Sequence, residues 1–280
     1  MEQGINNFIK TKKKKKKIKK MIMFILFFLL LLFLFFAKAP IFNIKVVQYK
    51  NNKIIDDEEL YKLYNPIGQN MIFINTKKAE TNIKENPYVE SISFEKHYPN
   101  ELTVKIIEKN ACYYVKEKSD YYILADDLSI LEVKNKISGL KLIELQNIKI
   151  DNKNVGQKIT SKTSVVESAS KLAELLSRNT SKVSFSKADV STRNNLILYN
   201  NDVKILLGSD EEFEKKVNRA INILNDSKVN IKKGYINVQS SDRVVVMDEE
   251  HPAEERDDKK QKETIDSIVN GQGNKEEYGD

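Results

Sequence analysis

Residues 21–37, MIMFILFFLLLLFLFFA, carry no charged or strongly polar side chain, and Lys19, Lys20 and Lys38 stand on either side of them. As an α-helix the run is about 26 Å long at about 1.5 Å per residue, slightly short of a hydrocarbon core of about 30 Å. The flanking lysines cover the difference by snorkelling to the headgroups. A soluble core helix can be apolar all round, but it is not bracketed by lysine clusters. The run predicts a membrane span. Lysine-rich flanks stay cytoplasmic, which predicts an N-terminus inside the cell and residues 38–280 outside it. The alternative is a cleaved secretion signal, because AKA at 37–39 matches an A-x-A cleavage signature. Two features oppose that reading: the run exceeds the usual apolar core of roughly 7–15 residues, and Pro40 would directly follow the scissile bond. A retained span is the expectation.

The net charge of +7 invites a nucleic-acid reading. Residues 1–20, however, hold nine lysines and one glutamate, or +8, which leaves −1 for the other 260 residues. The basicity is one local arm beside the membrane, where it sets topology and touches anionic lipid. The rest of the chain has no excess positive charge to offer a phosphate backbone, so no nucleic-acid partner is expected. Cys112 is the single cysteine, so no intrachain disulfide is possible. Between Asn110-Ala111 and Tyr113-Tyr114 it reads as a buried strand residue.

Beyond the span the pattern alternates between sheet and helix. IFNIKVVQY (41–49) reads as a strand with Phe42, Ile44 and Val46 on one side. DDEELYKLY (56–64) places acids in a first turn and Leu60, Leu63 and Tyr64 at helical spacing. NTKKAETNIKENP (75–87) offers Asn75 or Thr76 as N-cap, Ala79 and Ile83 one turn apart, and Pro87 as a stop. In NPYVESISFEKHYPNELTVKIIEK (86–109), Ile92 and Phe94 share one face, Leu102, Val104 and Ile106 share another, and Pro99-Asn100 makes the turn. Two helices on one face of a three-stranded sheet give these apolar sides something to bury against.

This order and these residues resemble the POTRA domain of the FtsQ/DivIB family of bacterial division proteins. The resemblance rests on Phe42, Ile44 and Val47, on Ile83, Asn86, Pro87, Val89 and Ile92, and on the Y-P-N-x-L-x-V-x-I-x-E-K pattern from Tyr98 to Lys109. It continues through 247. YYILADDLSILEV (121–133) reads as a hairpin around Asp126-Asp127, with Ser129 where the family commonly has glycine. SKTSVVESASKLAELLSR (161–178) spaces Val165, Ala169, Leu172 and Leu176 as a helix stripe, and 183–208 reads as three strands with turns near Asn194-Asn195 and Asn200-Asn201. Ser209 and Glu212 form a capping-box signature for a helix over 210–226, with Phe213, Val217, Ala220, Ile221 and Leu224 inward. GYINVQSSDRVVV (234–246) resembles the family's closing strands, with Asn237 in place of the usual aspartate.

The expected fold class is thus α+β. A basic arm (1–20) and a transmembrane helix (21–37) precede a βααββ POTRA domain (41–109), a second mixed α/β domain (110–247) and an acidic tail (248–280). The tail has twelve acids, five bases and few large apolar side chains, too little to bury for a fold of its own, so disorder is the expectation there.

No active-site constellation emerges. His97 and His251 are the two histidines, and there is no G-x-S-x-G, G-x-x-x-x-G-K-[ST] or H-E-x-x-H pattern. The acid runs at 56–59 and 210–213 sit where first helical turns welcome negative charge, which accounts for them better than glycoside chemistry does. The resemblance implies a non-enzymatic divisome component enriched at the septum. It further implies FtsB/DivIC-like and FtsL-like partners, no cofactor, no metal, no small-molecule substrate and an influence on septal peptidoglycan synthesis. A membrane-anchored cell-wall hydrolase or transferase is the alternative. The position of the family's partner-binding strand, carried onto this chain, gives Tyr235, Val238, Ser240, Arg243, Val244 and Val246 as contact residues. The expected mechanism there is strand addition to an exposed sheet edge.

Overall fold

The computed structural model describes residues 2–249 apart from 227, 228, 230, 241 and 242. The acidic tail from 250 onward lies outside them. A single helix, α1 (Glu2–Ala37), carries both the basic arm and the apolar run. Its stretch Lys14–Phe36 is long and apolar enough to cross a bilayer. The large apolar side chains from Met21 to Phe36 are all exposed, as lipid-facing side chains should be and core side chains should not. The rest of the described chain divides into two compact units, with Asn86–Tyr88 and the chain from Lys109 onward in the second.

The first unit has the expected βααββ order: β1 (Val46–Lys50), α2 (Asp57–Leu63), α3 (Thr76–Ile83), β2 (Val89–His97) and β3 (Glu101–Glu108). The sheet order is β1-β3-β2, with β1 parallel and β2 antiparallel to the central β3. Leu102, Val104 and Ile106 of β3 are fully buried, as are Leu60 of α2 and Ala79 and Ile83 of α3. Asn75 caps α3 by accepting a hydrogen bond from the Lys78 amide at 3.0 Å. The helix ends at Ile83, before Pro87 is reached.

The first strand differs from expectation. Pro40–Phe42 form a 3-10 turn, and Ile44 is held by the loop ahead of α3, its amide bonded to the Gln69 carbonyl. Pairing with β3 starts only at Val46, so Val47 and Tyr49 face the core and Val46 is exposed. The three apolar residues read as one face are therefore divided between a turn, a loop and a strand.

Glu108, at the end of β3, explains one letter of the motif. Its carboxylate accepts from the amides of Lys53, Ile54 and Ile55 at 2.8–3.1 Å, closing the loop after β1. Charge-assisted bonds to several amides are the strong kind, and no other side chain in the loop replaces them. Glu108→Ala is expected to destabilise this unit by about 2 kcal/mol, read by urea denaturation. An unchanged midpoint would mean that the loop holds itself.

The second unit is built on a nine-stranded sheet in the order β12-β11-β10-β9-β8-β7-β4-β5-β6. A meander of β4 (Ala111–Glu117), β5 (Asp120–Ala125) and β6 (Ile130–Lys134) forms one side. It joins β7 (Ile143–Leu145), β8 (Lys187–Asp189), β9 (Leu196–Asn200), β10 (Asp202–Gly208), β11 (Lys233–Asn237) and β12 (Val245–Asp248). Parallel neighbours need a crossover. Helix α4 (Thr163–Ser177) supplies it between β7 and β8, and α5 (Phe213–Asn225) between β10 and β11. Val165, Ala169 and Leu172 of α4 and Phe213, Val217 and Ala220 of α5 enter one core with Leu124, Leu198, Ile205 and Ile236 of the strands. Tyr113 is fully enclosed and satisfies its hydroxyl by donating to the Ala169 carbonyl at 2.7 Å. Cys112 is a half-buried residue of β4, and burial pushes its thiol up to about 11.

Two local readings need correction. Ser209 does not cap a helix: α5 begins at Phe213, and its N-cap Glu212 has φ +48 and accepts no capping bond. Instead Ser209 presents its carbonyl to the buried Lys216 ammonium at 3.1 Å, and Asp210 pairs with Arg193 at 2.6 Å. The acids of 210–212 thus precede the helix. The composition boundary at 248 also comes one residue early, because Asp248 belongs to β12, pairs with Gly234 of β11 and is buried.

At the 126–129 turn the left-handed residue is Leu128, so no glycine is required at 129. Ser129 donates its amide and hydroxyl to Asp127, and Lys109 bonds both Asp127 Oδ2 at 2.9 Å and Ser129 Oγ at 2.8 Å. Burial disfavours the Asp127 carboxylate, but these hydrogen bonds outweigh it and hold its carboxyl below the usual value. A depressed folded pKa stabilises the fold above the unfolded value of about 3.9, and that contribution is lost as pH falls through the folded one. The stability gap between wild type and Asp127→Asn should therefore be level above about pH 5 and shrink below it. Urea midpoints across that range measure it; a gap independent of pH would remove Asp127 from the acid response.

Candidate partner-binding edge

β12 closes the sheet. It has β11 on one side and, among the described residues, no strand on the other. The register pairs Tyr235 with Met247, Ile236 with Val246 and Asn237 with Val245. The Glu249 amide donates to the Lys233 carbonyl at 3.0 Å, which marks 233/249 as a hydrogen-bonded pair. In an antiparallel ladder bonded and non-bonded pairs alternate. Met247 and Val245 therefore turn their backbone groups toward β11, and Val246 turns its amide and carbonyl outward.

The side chains follow the same alternation. Ile236 is fully buried, and its partner Val246 packs against the core, as does Val244. The opposite face carries Val245 and Met247, 40% and 48% exposed, beside half-buried Tyr235. On β10, the parallel neighbour of Tyr235 is Lys204, exposed on that same face. The edge thus combines an outward backbone row with an apolar strip of Tyr235, Val245 and Met247.

Of the sequence-derived contact residues, Tyr235 lies on this strip and Val246 supplies outward backbone groups. Val238 is a correction. It is fully enclosed and its amide bonds the Leu206 carbonyl at 3.0 Å, so its side chain belongs to the core. Ser240 and Arg243 are exposed on the connection between β11 and β12, where the Ser240 carbonyl accepts from Arg219 at 3.1 Å. Val244 is half-buried at the start of the edge. Val245 and Met247, which share the strip with Tyr235, are not among the sequence-derived residues. Their signal was the period-two rule in VVVMD, which needs one anchored position to fix its phase.

Elsewhere, the acid run at 57–59 fills the first turn of α2, and His97 is exposed at the end of β2. Among the described residues no group of three or more His, Cys, Asp or Glu side chains could hold a metal.

Comparison with known proteins bears on the whole arrangement. Residues 42–109 match the family model "POTRA domain, FtsQ-type", and 113–239 match "Cell division protein FtsQ/DivIB, C-terminal". The second match stops before β12. The chain is 32% identical to the cell division protein DivIB of Clostridium tetani over 213 residues, 75% of this chain and 80% of that one. It is 33% identical over 208 residues to DivIB of Clostridium botulinum strain Hall, covering 72% and 80%. It is 24% identical to DivIB of Bacillus subtilis strain 168, covering 73% and 74%. With both modules matched in order behind an apolar helix, the chain belongs to the FtsQ/DivIB family of cell division proteins.

Proposed function

We propose that this protein is a non-enzymatic scaffold of the division apparatus. It is anchored by α1 with its N-terminus in the cytoplasm, and it captures FtsB/DivIC-like and FtsL-like single-span partners outside the membrane. By holding them at the septum it helps assemble or regulate septal peptidoglycan synthesis. The observation that carries the reading is the β12 edge: outward backbone groups at Val246 beside the apolar strip of Tyr235, Val245 and Met247. A partner strand laid along this edge satisfies the outward groups, and its alternate side chains cover the strip. Tyr235, Ser240, Arg243, Val244 and Val246 surround the contact, with Val238 supporting it from the core.

A photocrosslinker at Val245 or Met247 in cells, with the chain fluorescently tagged, tests this. The expected result is septal enrichment and crosslinks to small single-span division proteins. Uniform distribution around the envelope would overturn the division role. Turnover of purified peptidoglycan by residues 38–280 would instead establish the hydrolase or transferase reading.

A further inference from the structure

The first unit gathers its exposed aromatic side chains at the end where the chain arrives from α1. Beyond Ala37 only Lys38 and Ala39 intervene before the 3-10 turn, and both are tied by backbone bonds, Lys38 to Leu34 and Ala39 to Phe36. Ile41 is therefore four residues from the end of the helix, at most about 14 Å along even a fully extended chain. Two other segments are pinned to this one. Phe42 accepts from the Met71 amide at 2.8 Å, and Asn43 bridges Asn70. Asn100, at the β2–β3 turn, accepts from Lys45 at 2.9 Å, and the Phe42 and Tyr98 rings meet edge to face at 6.4 Å.

The side chains projecting from these three segments are apolar and exposed: Ile41 57%, Phe73 56% and Tyr98 59%. Phe73 and Tyr98 are the two described aromatic rings beyond α1 that are more than half exposed, and both lie at this end. Lys38 and Lys45 are exposed among them. Aromatic rings with lysines, within a few residues of an apolar span, are the side chains that settle at a membrane–water interface.

We infer that this end of the first unit, through Ile41, Phe73 and Tyr98, docks on the outer leaflet of the bilayer that α1 crosses. The occupant is the lipid surface because the tether leaves little reach for anything else to intervene. The inference rests on the reading of α1 as a retained span. Docking fixes the first unit end-on, with β3 pointing away from the membrane, and so fixes the level at which this unit meets other division proteins.

The chain has no tryptophan, which makes single-tryptophan reporters clean. Full-length protein is placed in phosphatidylcholine–phosphatidylglycerol vesicles whose acyl chains carry bromine close to the headgroup. Phe73→Trp and Tyr98→Trp should lose most of their emission and shift to the blue. Ile54→Trp should keep its emission, because Ile54 is exposed and held by Glu108 at the far end of β3, about 20 Å away. Adding Ile41→Asp to Phe73→Trp should restore emission. Equal emission from Phe73→Trp and Ile54→Trp, with Phe35→Trp near the outer end of α1 quenched, would overturn docking alone. Quenching at Ile54→Trp as strong as at Phe73→Trp would overturn end-on placement. An unquenched Phe35→Trp would overturn the span and the docking together.

Discussion

Val246→Pro is expected to abolish capture of a partner strand while the second unit remains folded. Val246 occupies a non-hydrogen-bonded position against Ile236, so its amide points away from β11. Proline removes that outward donor and sets its ring where an incoming strand would lie, yet it takes no bond from the existing ladder. Proline is tolerated on edge strands for this reason. The side chain of Val246 packs on the core, so a loss of about 1 kcal/mol in stability is expected from the smaller ring contact. Partner affinity should fall by more than about tenfold, or about 1.4 kcal/mol, in a titration with the partner ectodomain. The matched control is Val245→Pro, which deletes a bond to β11 and should detach the edge itself. Undiminished binding by Val246→Pro would exclude β12 as the docking strand.

Gly234→Ala should act on the same edge from behind. Gly234 sits in β11 with φ +133, a conformation that side-chain-bearing residues rarely adopt. A Cβ there would stand 2.0 Å from the Met247 carbonyl oxygen and 3.1 Å from the Glu249 amide nitrogen. Both are backbone atoms of the neighbouring strand, so no side chain can swing aside and β12 must move. Strain and overlap together are expected to cost about 3 kcal/mol. Urea denaturation of the second unit reads the loss, and hydrogen exchange should show the β12 amides opening first. Partner capture should fall as far as in Val246→Pro, but with a destabilised unit. A variant of wild-type stability would mean that β12 does not hold this register.

The two variants separate what the edge offers from what holds it in place. That distinction matters because the closing strand is short, and four residues paired on one side supply few ladder bonds. Arg219 bonding the Ser240 carbonyl and Lys233 pairing with Glu249 at 3.1 Å add contacts at both ends of the β11–β12 pair. Exposed ion pairs of this kind contribute little alone. Packing of Val244 and Val246 on the core stabilises the strand more than they do.

Much of the architecture was legible because its signals are local. An apolar run between lysines, an Asn cap three residues before Lys78, and turns at Pro99-Asn100, Asp126-Asp127 and Asn200-Asn201 depend on neighbours in sequence. The readings that failed needed partners distant in sequence. Ser209 and Glu212 have the spacing of a capping box, but Lys216 and Arg193 take the groups around them and the helix starts at Phe213. Phe42, Ile44 and Val46 alternate like a strand, but the loop at 68–71 claims Ile44 before β3 can. β7 is three residues long and exists through its two parallel neighbours.

Residue order alone determined that this chain carries an apolar segment long enough to cross a membrane, followed by small α+β modules. It did so because helix length, charge bracketing and apolar period are properties of a single segment. Which strand ends the sheet, which of three consecutive valines faces outward, and which aromatic rings share the end near α1 were decided by the tertiary structure alone. A period of two has no phase until one residue is anchored, and here the anchor is Ile236 across the ladder from Val246.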